Sequence, residues 1–258
     1  MEINLLTVGD VVGSSGLKML GRHLRAVKKK YNIAFTVVNG ENAASTGIYP
    51  NQAEDIFAAG ADVITLGNHA FGKREIEDYL GDNRYILRPA NYAPQREGGG
   101  VGVYDCGRYR VAVIDLLGRL NMALGPNNPF LMIDDILKNI DAEIKLVEIH
   151  AEATSEKQAM AWMLDGRVSA VYGTHTHVPT ADERILPKGT GYISDLGMTG
   201  PYDSVIGIRP EQSIALFRGD RTSRFEQAPG GCRMDACVFT VDTDTGLCRH
   251  IERVNLLD

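Results

Sequence analysis

Short apolar runs rich in β-branched residues recur in this chain, and several end at a glycine with a polar side chain directly after it. The run from Ala61 to Leu66 is typical of a short buried strand. Gly67 then allows the backbone to turn closely past a ligand. Asn68 and His69 follow at the carboxyl end of this strand, the edge at which open α/β sheets bind ligands. Considered alone, the stretch is also compatible with an ordinary strand-to-helix turn.

Alternating periodicities predict the fold class. Apolar residues at helical spacing predict helices over 17–30, 50–59, 73–80, 130–140 and 155–164. Strand-like runs cover 3–8, 33–38, 61–66, 86–90, 101–104, 111–116, 144–149 and 168–172, and later β-rich runs cover 191–194, 214–217, 237–241 and 249–254. This order predicts an α/β fold in which a mixed sheet packs on a second sheet, with helices outside. Because no linker, repeat or composition break divides the chain, we expect a single domain over 1–258.

Composition excludes several classes of function. The chain has 27 Lys and Arg against 33 Asp and Glu, a net charge of −6, which disfavours binding to duplex nucleic acid. It has no apolar stretch long enough for a membrane span and no signal peptide, so we expect a cytoplasmic protein. The four cysteines show no C-x-x-C spacing, which indicates reduced structural thiols and argues against a zinc–cysteine site.

The polar residues that follow the predicted strands form one candidate site, because strand ends on one edge of a sheet converge on one crevice. These residues are Asp10, Glu41, Asn42, Asn68, His69, His150, His175 and His177. Imidazole, carboxylate and amide groups without thiolate suit iron, manganese, cobalt or zinc. Eight candidates exceed what one ion needs, so we expect two ions that share a carboxylate.

The individual motifs are weaker than the set. His175 and His177 form an H-x-H pair whose rings can reach neighbouring ions just beyond a strand. His150 alone is equally compatible with a hydrogen-bonded residue at a strand boundary. Asp10 after Gly9 is a common turn pair. It is the ordered combination that indicates a metal centre.

The order of these motifs resembles the calcineurin-like metallophosphoesterases, and most closely their YmdB-like branch, which contains 2′,3′-cyclic-nucleotide phosphodiesterases. The motifs that carry the resemblance are Gly9-Asp10, Gly40-Glu41-Asn42, Gly67-Asn68-His69, His150 and Gly173-Thr174-His175-Thr176-His177. The stretches 180–187 and 195–201 resemble signatures of the branch. The resemblance covers nearly the whole chain and implies a four-layer α/β/β/α sandwich with two mixed sheets.

Three positions depart from the superfamily pattern. Its usual Asp-x-His motif has no histidine here after Asp10, Glu41 stands where a bridging Asp is usual, and Ala70 stands where an acidic residue often follows. The first two departures are those of the YmdB-like branch. They therefore favour that narrower assignment over a general protein phosphatase.

The resemblance also implies a role for each residue. One metal is held by Asp10, Glu41, Asn42 and His177, and the other by Glu41, Asn68, His150 and His175. Glu41 bridges the two ions, and His69 is the proton donor rather than a ligand. The cofactors are two transition-metal ions, with iron or manganese favoured and zinc or cobalt as alternatives.

We therefore expect a di-metal phosphodiesterase that hydrolyses small phosphoesters, 2′,3′-cyclic nucleotides above all. The alternatives are a nucleotide-sensing regulator with little or no turnover and a phosphatase of broader specificity; a nuclease for polymeric RNA would need a basic track that the sequence lacks. We also expect a homo-oligomer. The Gly-rich stretch 197–201 is either a turn whose Thr199 contacts substrate or a structural turn or subunit contact.

Overall fold

The computed structural model describes residues 1–122, 125–220 and 224–258. Its helices are α1 (Gly13–Lys30), α2 (Pro50–Ala59), α3 (Ile76–Asp82), α4 (Pro129–Lys138), α5 (Thr154–Leu164) and α6 (Pro210–Phe217). Its strands are β1 (Glu2–Val8), β2 (Asp10–Val11), β3 (Ile33–Asn39), β4 (Val63–Thr65), β5 (Ile86–Leu87), β6 (Val101–Asp105), β7 (Arg110–Leu117), β8 (Ile144–His150), β9 (Ala170–Thr174), β10 (Arg184–Ile185), β11 (Gly191–Ile193), β12 (Met198–Pro201), β13 (Cys232–Asp242) and β14 (Cys248–Leu257).

The strands form two mixed sheets. The first has the order β2-β12-β13-β1-β3-β4-β5, with β14 paired to β13. The second has the order β10-β11-β9-β8-β7-β6. Strands β1, β3, β4 and β5 run parallel in the first sheet, and β7, β8, β9 and β11 run parallel in the second.

The central strands alternate between two buried faces, as the period of two requires. In β1, Leu5 packs between the two sheets, whereas Leu6 packs against the helices that cover the first sheet. In β7, Val113 lies in the same inter-sheet core, and Ile114 lies in the core between the second sheet and its helices. The result is a four-layer α/β/β/α sandwich, which confirms the predicted fold class.

The predicted helices are present with small shifts of their ends, and one further helix was missed. Residues Ile214–Phe217, expected to be β-rich, lie in α6, so that prediction was wrong. A run of four apolar residues cannot be assigned by periodicity alone. The stronger signal is Pro210 in the first turn of α6, where a proline costs no hydrogen bond.

The stretch 197–201 is also different from the predicted turn. Met198–Pro201 form β12, which pairs with β13 and β2 inside the first sheet. Thr199 has no exposed surface. Its place in the sheet favours the structural interpretation over contact with substrate.

The described residues contain neither a membrane-spanning helix nor a disulfide bond. Among them, no helix is both long and apolar enough to cross a membrane. All four cysteines are free, and Cys232, Cys237 and Cys248 are buried.

Candidate metal centre

Five strand ends bring the predicted site residues to one place. Asp10 follows β1, Glu41 follows β3 and Asn68 follows β4 in the first sheet. His150 ends β8, and His175 directly follows β9, in the second sheet. Because these strands are parallel within each sheet, their carboxyl ends lie at one edge, and the two sheets contribute to a shared centre.

Glu41 lies at the middle of this centre with its side chain fully buried. Its Oε1 atom lies 3.1 Å from Nε2 of His150 and 3.0 Å from Nδ2 of Asn42. Asn42 Nδ2 in turn lies 3.1 Å from Nε2 of His177. His177 Nε2 lies 3.7 Å from Oδ1 of Asp10, so these residues form one side of the centre.

The other side is built around His150. Its Nε2 atom lies 3.0 Å from Oδ1 of Asn68 and 3.0 Å from Nδ1 of His175. One potential ligand atom from each of Glu41, His150 and His175 falls within 4.8 Å of the other two. The structure thus groups the seven predicted ligands around a single carboxylate in the two sets that were expected; their role as ligands stays a prediction.

Hydrogen bonds on the outer ring nitrogens set which histidine atom faces the centre. His177 Nδ1 lies 3.0 Å from the carbonyl oxygen of Ile206, which can only accept, so Nδ1 carries the proton and Nε2 has a free lone pair. His175 Nε2 lies 3.2 Å from Oε2 of Glu152, which leaves Nδ1 of His175 facing His150. Partners of this kind orient metal-binding histidines in proteins.

The partner of His150 is part of a buried network that the sequence analysis missed. Nδ1 of His150 lies 2.9 Å from Oγ1 of Thr174, and that hydroxyl donates to Oε1 of Glu148 at 2.8 Å. Glu148 also accepts from Asn39 Nδ2 at 2.6 Å and from Thr65 Oγ1 at 2.6 Å. Since Thr174 donates its proton to Glu148, it accepts from Nδ1 of His150, and Nε2 is the ring nitrogen that faces the centre.

The turn that carries His175 and His177 is strained. Both residues have positive φ angles, 98° and 63°, in a region that non-glycine residues rarely adopt. Asp195 holds the turn by accepting from the backbone N–H of Thr176 at 3.1 Å and from its hydroxyl at 2.8 Å. The buried ammonium of Lys157 lies 2.7 Å from the same carboxylate oxygen and balances its charge.

A signal for these supporting residues was present in the sequence. Glu148 interrupts the apolar run from Leu146 to Ile149, and Lys157 lies on the buried side of a helix. A charged residue in such a position is rare unless it is paired. The partners, however, lie far away in the chain and could not be named.

The pKa values of the site residues are shifted by burial and by the charged groups beside them. Burial works to raise the pKa of Glu41, but His150 and His69 beside it hold that pKa well below its usual range. Burial also works to lower the pKa of His150, but the carboxylates of Glu41, Asp10 and Glu148 together raise that pKa to about 9. Burial, followed by the charge of His150, lowers the pKa of His175 to about 3. Burial raises the pKa of Asp10.

These observations fit a metal centre. Nε2 of His150 and Nδ1 of His175 lie only 3.0 Å apart, and Oδ1 of Asp10 is buried with no hydrogen-bond partner among the described residues. Both features call for a cation or a proton between the groups. The Asn42 amide fits as well, because a half turn exchanges its oxygen and nitrogen without changing its shape. Metal binding would release the proton that His150 otherwise holds.

His69 lies beside the centre and differs from the other histidines. Its backbone N–H donates to Oε2 of Glu41 at 3.1 Å, and its Nδ1 lies 3.2 Å from Oδ1 of Asn42. Its side chain is 36% exposed. With Nδ1 directed to the centre, Nε2 is the ring nitrogen available to a bound molecule.

Proteins of known family and structure are similar to this chain over nearly its whole length. A family model described as YmdB-like protein matches residues 6–254. A 2′,3′-cyclic-nucleotide 2′-phosphodiesterase of Bacillus subtilis is 42% identical over 260 residues, which cover 99% of this chain and 98% of the relative. The match extends over both sheets and every predicted site residue.

Two solved structures support the fold. The crystal structure of a novel phosphatase from Mycoplasma pneumoniae matches with a TM-score of 0.94 and 34% identity, over 100% of this chain and 94% of that one. A structure named for a 5′-nucleotidase of Staphylococcus aureus matches with a TM-score of 0.64 and 17% identity, over 100% of this chain and 55% of that one. The second likeness shows the fold alone.

Replacing Glu41 tests the shared carboxylate. Because one carboxylate serves both halves of the centre, Glu41→Gln should lower the metal content of both sites, measured by elemental analysis of the purified protein. Glu54→Gln, the same change at an exposed residue, is the matched control and should bind as much metal as the wild type. Full occupancy of both sites in Glu41→Gln would contradict the bridging position.

Replacing Thr174 tests the network behind His150. Thr174→Val keeps the shape and removes the hydroxyl, so His150 loses the acceptor that fixes its tautomer. Metal affinity, measured by competition with a chelator, should fall by about 10- to 100-fold. Thr174→Ser restores the hydroxyl and should restore most of the affinity. Equal affinities for the valine variant and the wild type would show that the network does not orient His150.

Proposed function

This chain belongs to the YmdB-like family and is a phosphoester hydrolase, and we propose that it is a di-metal phosphodiesterase acting on 2′,3′-cyclic nucleotides. We further propose that residues 1–258 act as one metallophosphoesterase domain, since the predicted ligands come from both sheets. The name of the Bacillus subtilis relative specifies the 2′ bond. We take the same bond as the one this chain breaks.

The observation that carries the proposal is the position of Glu41 between two groups of histidine and amide side chains. Oε1 of Glu41 lies 3.1 Å from His150, and on the other side Asn42 joins Glu41 to His177. A carboxylate shared by two such groups would serve as a ligand to two ions, which would supply the chemistry of a two-metal centre. The proposed ligands are Asp10, Glu41, Asn42 and His177 for one ion and Glu41, Asn68, His150 and His175 for the other.

The chemistry at phosphorus needs a nucleophile and charge neutralisation. Two transition-metal ions, when bound, supply Lewis-acid activation of water and offset the negative charge of the phosphate. The residues of this chain hold the ligands in place: Thr174 and Glu148 orient His150, and Asp195 holds the turn of His175 and His177. Iron or manganese is the proposed pair, with zinc or cobalt as alternatives.

The leaving group needs a proton. A ribose alkoxide is strongly basic, so its departure is slow unless an acid protonates it. His69 is placed for this task, because its Nδ1 is directed to Asn42 and Glu41 while Nε2 is available to substrate. Oε1 of the neighbouring Glu41 carboxylate lies 3.5 Å from Nδ1 of His69 and helps to fix the orientation of the ring.

A turnover assay separates this proposal from its alternatives. Metal-loaded protein should hydrolyse 2′,3′-cyclic nucleotides to nucleoside monophosphates. The products are identified and quantified by chromatography. Binding without turnover would instead identify a nucleotide sensor. Equal rates on many phosphomonoesters would identify a phosphatase of broader specificity.

Replacing His69 tests the proton donor. His69→Ala should keep its metal ions and lose about 10²- to 10⁴-fold in rate on a cyclic nucleotide. The loss should be much smaller for bis(p-nitrophenyl) phosphate, because nitrophenolate departs without a proton. Steady-state rates on both substrates and metal content are the measurements.

The control is a change in a proposed ligand. His150→Ala should lose metal and should slow both substrates alike. If His69→Ala also lost metal and slowed both substrates equally, then His69 would be a ligand and the assignment as proton donor would be wrong.

A further inference from the structure

A cleft on one side of His69 has the character of a nucleobase site. Its volume is about 440 Å³, within the usual range for small-molecule pockets. Asn68 and His69, which belong to or adjoin the metal centre, line this cleft together with Phe71, Tyr92 and Arg96. A second, smaller cleft of about 220 Å³ is lined by four of the proposed ligands, Glu41, Asn42, His175 and His177.

The larger cleft contains a preorganised flat platform, which consists of the Phe71 ring and the Arg96 guanidinium. The Arg96 guanidinium lies over the Phe71 ring, 3.8 Å from its centroid. The edge of Tyr92 packs against Phe71 at 5.4 Å and an interplanar angle of 82°. The Arg96 side chain still has 41% of its surface exposed. A stacked guanidinium of this kind presents a plane on which nucleobases stack.

Buried hydrogen bonds fix this platform to the rest of the protein. The guanidinium of Arg88, which is itself buried, donates to the backbone carbonyl of Arg96 at 3.1 Å and to that of Glu97 at 3.2 Å. The Tyr92 hydroxyl donates to the carbonyl oxygen of Asn68 at 3.0 Å. These hydrogen bonds connect the platform to Asn68, the residue that precedes His69 and is a proposed ligand of the metal centre.

We propose that this cleft binds the base of the substrate, with Arg96 as the residue on which the base stacks. The inference rests on the proposed function, because it places the cyclic phosphate at the metal centre and the base on the far side of His69. The binding surface is a π-face and a cation. Such a surface accepts every base, so the enzyme should hydrolyse purine and pyrimidine cyclic nucleotides alike.

The competing location is the smaller cleft, where Phe225 is the aromatic residue. That cleft is lined by Glu41, His175 and His177, so the metal centre and the phosphate take up much of it. The larger cleft has room for a nucleoside and holds none of the histidine ligands. The geometry thus favours the platform of Phe71 and Arg96.

The test compares a cyclic nucleotide with a base-free analogue. For each variant, kcat/KM is measured with 2′,3′-cyclic AMP and with methyl riboside 2′,3′-cyclic phosphate. In Arg96→Ala the ratio of the two should fall by about 5- to 150-fold, the range that stacking of one base spans, and the change should lie mainly in KM. Arg96→Lys keeps the charge without the plane and should lose most of the same ratio.

Two further variants make the test selective. Arg84→Ala removes a similar guanidinium–aromatic pair, Arg84 over Tyr85 at 5.0 Å, outside this cleft, and should keep the wild-type ratio. Phe225→Ala probes the smaller cleft. A loss of the ratio in Phe225→Ala with none in Arg96→Ala would place the base on the other side and overturn the inference.

The remaining outcomes are also decisive. A wild-type ratio in Arg96→Lys with a loss in Arg96→Ala would mean that Arg96 contacts the base through its charge alone, and the stacking role would be wrong. If the wild-type enzyme hydrolysed the aryl diester but no cyclic nucleotide, the proposed function itself would fail, and this inference with it. Turnover of cyclic nucleotides with an unchanged ratio in Arg96→Ala would overturn the inference alone.

Discussion

The arrangement of the centre depends on one buried carboxylate that joins the two sheets. Glu148 belongs to β8 of the second sheet and accepts hydrogen bonds from Asn39 of β3 and Thr65 of β4 in the first. It also accepts from Thr174 of β9. Burial raises the pKa of Glu148, and the three donors offset part of that effect. A buried acid of this kind is tolerable only when its oxygens are paired, so the two sheets are held in one relative position.

The candidate ligands come from both sheets, so they meet only when the two sheets hold this relative position. Asn39 also accepts from the backbone N–H of Glu41 through its Oδ1 at 3.1 Å, so the same residue connects Glu148 to the shared carboxylate. On the other side, Thr174 connects Glu148 to His150. Both halves of the centre are therefore connected to Glu148 by hydrogen bonds. A change at Glu148 would disturb both halves, although Glu148 itself lines neither of the two clefts described above.

Much of this molecule could be predicted from its sequence, for physical reasons that can be named. The apolar run that contains both Leu5 and Leu6 predicts a buried strand. Because successive side chains of a strand point to opposite faces, Leu5 and Leu6 then fill two different cores. The polar residues after each strand show which edge carries the site. The network around Glu148 could not be predicted, because its partners Asn39 and Thr65 lie 109 and 83 residues away. Such contacts depend on how two sheets pack, and a single sequence does not encode that in any local pattern.

The glycines illustrate the same limit. Gly67 was expected to let the backbone turn closely past a ligand, and the reason is not a special backbone angle, since its φ angle lies outside the left-handed region that favours glycine. A Cβ atom at this position would instead overlap Oε2 of Glu41 and the ring of His150. Gly173 is similar, since a Cβ there would overlap the carbonyl oxygen of Ser194. The recurrent pattern of strand, glycine and polar residue is therefore a packing requirement at these two positions. The ligand groups can approach one another this closely because no side chain stands between them.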